Sequence, residues 1–116
     1  MRSAMILLVT PIKRRNECAA ALQQATGEPV VIAENLLRAM TLLRTDLYTA
    51  VIFDQSLDET EPNEIDTAFD HLGSAIPVQV NLAISGIERL VREVRAAIHL
   101  RKHEEATARE VAASLV

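Results

Sequence analysis

Residues 49–62, TAVIFDQSLDETEP, carry four apolar residues, Ala50 to Phe53, straight into Asp54 and then into a polar, acidic segment. A carboxylate delivered to a strand end can attack phosphorus, join other oxygens around a divalent cation, or work as an acid or base beside a second carboxylate. Asp58, Glu59, Glu61 and Glu64 follow closely. Acidic residues just ahead of a helix are more simply explained by the helix dipole, which favours negative charge at its N-terminus. His99 and His103 stand four apart and share one helix face, as metal-binding histidines can. They lie in HLRKHEE, a charged stretch that implies no third ligand, and read as a solvated face. His71 stands alone near a helix end, where a weak dipole interaction accounts for it. Cys18, the single cysteine, cannot form an internal disulfide and falls on the apolar side of a helical pattern, as an inert buried thiol does. The 3 glycines each read as a helix boundary, so there is no Gly-rich phosphate loop. Neither a metal nor a cofactor is expected.

The elements that place these residues alternate between two periods. MILLV, residues 5–9, is a continuous apolar run of strand length, as in a strand covered on both faces. Residues 13–26 switch to helical spacing, with Cys18, Ala21, Leu22 and Ala25 on one face and Gly27 placed to end the helix. The unit then repeats. PVVIA at 29–33 is a second strand, Asn35 an N-cap, and Leu36, Leu37, Met40 and Leu43 a buried stripe. AVIF is the third strand, followed by a stripe of Ile65, Ala68, Phe69 and Leu72 closed by Gly73. Three successive βα units imply a parallel sheet with right-handed crossovers.

A fourth strand is expected from about Ile76 to Ile84. There Val78, Val80, Leu82 and Ile84 alternate with Gln79, Asn81 and Ala83, the pattern of a strand with one face fully covered, at a sheet edge. Ser85 and Glu88 have capping-box spacing, so a helix should open at once, and no Pro or Gly follows Gly86 before Val116. Ile87, Val91, Val94 and Ile98 recur at steps of four and three, a stripe able to pack on the domain or on a partner helix. Arg101 and Glu105 interrupt it before Ala108, Ala112 and Leu115 restore the register. The first half is expected to pack on the sheet and the second to leave it. Candidate interface residues are Gln79 and Asn81 on the strand, and Ile87, Val91, Val94, Ile98, Val111 and Leu115 on the helix.

MILLV, DLYTAVIFDQSL and IPVQVNLA, in this order and at these intervals, resemble the receiver domain of two-component response regulators over roughly residues 5–84, and GIERLVREVRAAI resembles that family's last helix. The resemblance implies a three-layer, flavodoxin-like parallel sheet, here of about four strands, with a long C-terminal helix. It also implies that Asp54 matches the phosphate-accepting aspartate. Receiver chemistry needs an acidic pair at the end of the first strand to help hold Mg²⁺, and those positions are Thr10 and Pro11. The hydroxyl residue expected at the end of the fourth strand falls at Leu82, with Ser85 three residues too late. The fifth strand and its Lys-Pro are absent. Asp54 is therefore expected to be a vestigial phosphoacceptor, a solvated carboxylate at a strand end.

VIFDQS also resembles the nucleophile motif of haloacid-dehalogenase-like phosphatases, but the general acid that motif carries two residues on is replaced by Ser56. Composition narrows the rest. A chain of 116 residues with 49% hydrophobic content suits one core, and 12 basic against 16 acidic residues, a formal charge of −4, argue against nucleic acid. The opening apolar run is too short to span a membrane and lacks a cleavage site, so the protein is expected in the cytoplasm. The expectation is a degenerate, pseudo-receiver signalling module without enzymatic activity, which binds other signalling proteins and forms a homodimer. The alternative is a working phosphoacceptor using Asp54. Residues 1–100 are assigned to the receiver-like domain and 101–116 to a helical extension toward a further region.

Overall fold

The computed structural model describes residues 5–84 and 86–114, with side chains described as far as Thr107. Strands β1 (Ile6–Val9), β2 (Val30–Ala33), β3 (Ala50–Asp54) and β4 (Ile76–Val80) form one sheet in the order β2-β1-β3-β4, parallel throughout. Helices α1 (Arg15–Thr26) and α2 (Leu36–Thr45) follow the first two strands, α3 (Leu57–Thr60) and α4 (Pro62–Asp70) the third, and α5 (Ile87–Ser114) the last. Strand side chains alternate between faces, and the two central strands are buried on both. Ile6, Leu8, Ile52 and Val78 meet Cys18 and Leu22 of α1 and Leu90 and Val94 of α5. On the other face Leu7, Val9, Val51 and Phe53 meet Leu36 and Ala39 of α2 and Ala68 of α4. Phe53 also stacks on Phe69, with ring centroids 4.8 Å apart. The result is a parallel sheet between two helical layers, the three-layer α/β arrangement that the resemblance implies.

Local signals set the helix ends. Gly27 takes φ +74° at the end of α1, where its N–H reaches back to the Gln23 carbonyl. At the start of α2 the Asn35 side chain accepts the Arg38 N–H at 2.8 Å. A cap that sequence spacing hides is Glu61, whose carboxylate accepts the Leu36 N–H at 3.3 Å from across the layer. The acidic segment is thus partly structural. It divides into two helices because Pro62 starts a new one at its first position, where a missing N–H is harmless.

Several expectations are corrected. The fourth strand stops at Val80, since the Asn81 carbonyl accepts the Ile84 N–H in a turn; Leu82 folds into the core at 8% exposure while Ile84 is 81% exposed. Leu37 is 69% exposed, and α2 buries Leu36, Ala39 and Met40 instead. On α1, Ala19 is buried with Cys18 and Leu22, and Ala21 and Ala25 are only half-buried. The Ser85–Glu88 capping box and Leu115 lie outside the described residues, as do the side chains of Ala108, Val111 and Ala112.

β4 is an edge strand. Ile76 donates to the Thr49 carbonyl and Gln55 to the Val80 carbonyl, so alternate residues of β4 turn their backbone toward β3 and Pro77 and Gln79 turn theirs outward. Proline suits that position because its missing N–H leaves no ladder bond unmade. Among the described residues no fifth strand pairs with this edge. On the face covered by α2 to α4, Pro77 and Gln79 of this edge strand are exposed, while their β3 neighbours Val51 and Phe53 are buried.

Candidate functional site

The C-terminal ends of β1 and β3 lie side by side, because Val9 is in register with Phe53. The next residues on each strand, Thr10 and Asp54, therefore stand as neighbours on the α1/α5 side. Both are buried, at 0% and 1% exposure. Thr10 Oγ1 donates a 2.7 Å hydrogen bond to Asp54 Oδ2, and the Ser56 N–H donates to Oδ1 at 3.1 Å. Thr10 Oγ1 in turn accepts the Ile12 N–H at 3.3 Å. The expected solvated carboxylate is thus a buried one. Burying a carboxylate is costly unless its lone pairs are used, and here each oxygen has a donor from its own chain.

Charge compensation comes from these donors alone: among the described residues no Lys or Arg pairs with Asp54. The arginines after β1 are engaged elsewhere, Arg14 with Glu17 and Arg15 with Glu34, each at 3.0 Å. Ser56 Oγ, on the turn after β3, is buried without a hydrogen-bond partner. Cys18 sits on the same side of the sheet, and its thiol is pushed up from its ordinary range by burial above all. Arg14 opposes that shift, while Glu17 and Asp54 add to it.

No protein-family model matches the sequence, and neither does any curated protein. A response regulator from Thermotoga maritima has a similar structure, with a TM-score of 0.62 at 17% identity, over 84% of this chain and 98% of that one. The fold is that of a receiver domain. The receiver domain of the Francisella response regulator 1452 is also matched, at 14% identity and a TM-score of 0.49, over 85% of this chain and 99% of that one.

Set on the receiver fold, Asp54 is at the end of the third strand as the sequence resemblance implied, and Thr10 and Pro11 follow the first strand. These residues do not fit Mg²⁺, which wants several oxygen ligands of which one or two are carboxylates. Thr10 offers a hydroxyl already spent on Asp54, and Pro11 has no ligating side chain. Among the described residues no three His, Cys, Asp or Glu side chains converge on one point. Leu82 adds an apolar side chain to the core cluster and no hydroxyl.

The remaining candidates lie elsewhere. Gln79 is exposed and Asn81 half-buried at the open edge. On α5, Val94 is fully buried, with Ile87, Val91 and Ile98 partly buried around the same core. Leu90, missed by the steps of four and three, is fully buried as well. His99 and His103 are exposed, and residues 102–107 are exposed throughout. Among the described residues no helix is long and apolar enough to cross a membrane.

Proposed function

We propose that this chain is a non-catalytic signalling module with a receiver fold, which acts in the cytoplasm by binding other proteins, without phosphorylation. The observation that carries this reading is the 2.7 Å hydrogen bond from Thr10 to Asp54. It satisfies the carboxylate oxygen that a metal and an incoming phosphoryl group would need. Attack by Asp54 on a phosphate donor would have to break that contact, expose a buried group and proceed with no acidic pair beside it. Incubation with acetyl phosphate or beryllofluoride and Mg²⁺, followed by intact mass and amide NMR shifts, is the test. The expected result is no added mass and no shift at residues 10–12 or 54–56. Stoichiometric, Mg²⁺-dependent modification of Asp54 would establish the working phosphoacceptor instead.

The same reading includes a homodimer through α5. The helix runs past the packed stripe into a stretch, residues 102–107, that is exposed on every side, and Val111 and Leu115 are among the large apolar residues that follow in the sequence. Sedimentation equilibrium on the chain, and on a version cut after Leu100, separates a dimer held by this extension from a monomer. If both species are monomeric at tens of micromolar, the dimer is wrong.

A further inference from the structure

We propose that the groove between the end of α1 and the flank of α5 receives the acidic α3–α4 segment of a second copy of this chain. The groove encloses about 690 Å³ and has an apolar floor that includes Val91 and Ile98. Arg92, Arg95 and Lys102 line it, all exposed, and among the described residues none of them makes an ion pair. Glu28 stands at the other wall, and its Oε2 is buried without a hydrogen-bond donor. The groove therefore asks for anions along one wall and an N–H or O–H on the other.

The chain itself carries a complement. From Thr45 to Glu88 there is no Lys or Arg, and within that stretch α3 and α4 expose Asp58, Glu59 and Asp66, with Asn63 as an exposed amide donor. The dimensions agree: the 9-residue α4 is about 13 Å long, and the cations from Arg92 to Lys102 span about 15 Å of α5. Because α5 and the α3–α4 pair lie on opposite faces of the sheet, groove and segment belong to different surfaces of each copy. The contact is head-to-tail and extends from copy to copy, unlike an α5 seam related by a two-fold axis.

Two charge reversals test this without touching the core. Arg92→Glu/Arg95→Glu reverses two of the groove's three cations, and Asp58→Lys/Glu59→Lys reverses two of the segment's anions; circular dichroism and urea midpoints verify that each folds. Sedimentation velocity at high protein concentration, in low and in high salt, reads the assembly. Wild type is expected to form a series of species larger than its α5-determined state, lost at high salt as exposed charge contacts are. Each variant alone should lose that series, and a mixture of the two should recover association, because each supplies the face the other lacks and the two reversed faces complement one another. The α5 seam is read separately, as the species that persists in high salt and in both variants, so its failure leaves this outcome legible. The proposal is overturned if wild type shows no salt-sensitive association, if either variant associates as wild type does, or if the mixture forms no complex. It is equally overturned if a labelled oligonucleotide binds the groove while copies of the chain do not associate.

Discussion

Thr10→Val isolates the contact at the centre of the site. The two side chains are nearly the same size, so no cavity forms, and the loss is of the hydroxyl alone. Thr10 and Asp54 are 0% and 1% exposed, so water cannot replace that donor, and Asp54 Oδ2 is left unsatisfied. Hydrogen bonds to charged groups are worth about 1.5–3 kcal/mol, which puts the cost near 2 kcal/mol; the long 3.3 Å contact from the Ile12 N–H adds little. In a domain of this size that lowers the melting temperature by about 8 °C. Urea unfolding of wild type, Thr10→Val, Asp54→Ala and the double variant makes the measurement. Asp54→Ala orphans the Thr10 hydroxyl in the same way, so the double variant should lose less than the sum of the singles by roughly 1–2 kcal/mol. Additivity within about 0.5 kcal/mol, or a Thr10→Val variant as stable as wild type, would refute the argument that this hydrogen bond makes the buried carboxylate tolerable.

Three further outcomes follow from the packing. Leu90→Ala, at a fully buried position under α5, should cost roughly 3 kcal/mol in urea unfolding, whereas Leu100→Ala, at 57% exposure on the same helix, should change stability by no more than about 0.5 kcal/mol. Asn35→Ala should cost about 1 kcal/mol and speed amide exchange in the first turn of α2, by removing the acceptor of the Arg38 N–H. The Cys18 thiol should react with a disulfide reagent much more slowly in the native protein than in urea. Since its native value is raised by burial, the stability it contributes is complete at neutral pH and is lost as pH climbs through the alkaline range, which unfolding at a series of pH values would show.

The sheet was legible because its signals are local. Continuous apolar runs mark strands buried on both faces, Gly27 and Asn35 mark helix ends by their own chemistry, and the alternation in residues 76–80 marks an edge. What the sequence concealed depends on partners far along the chain. Asp54 reads as solvated until Thr10, 44 residues away, is placed beside it. Glu61 looks like a dipole charge until α2 brings the Leu36 N–H to it. The alternation carries on to Ile84, yet no strand forms beyond Val80, because a turn rather than a ladder takes up the next carbonyl. On α5 the heptad-like steps pick out Val94 but pass over Leu90, since packing on a sheet selects a broader stripe than pairing with one helix does.

The length of α5 makes it a lever. Its 28 residues extend for about 42 Å, against about 16 Å for the 5-residue strands beneath it, so only its first part is held by the sheet. With Leu90 as fulcrum, Ser114 lies roughly 36 Å out along the helix, and a tilt of about 5° sweeps it through about 3 Å. A change at the Leu90 and Val94 contacts too slight to notice beside the sheet becomes a displacement the size of a side chain at the far end. A spin label on the outer turns of α5 would therefore report on events in the core more sensitively than a probe beside Asp54 itself.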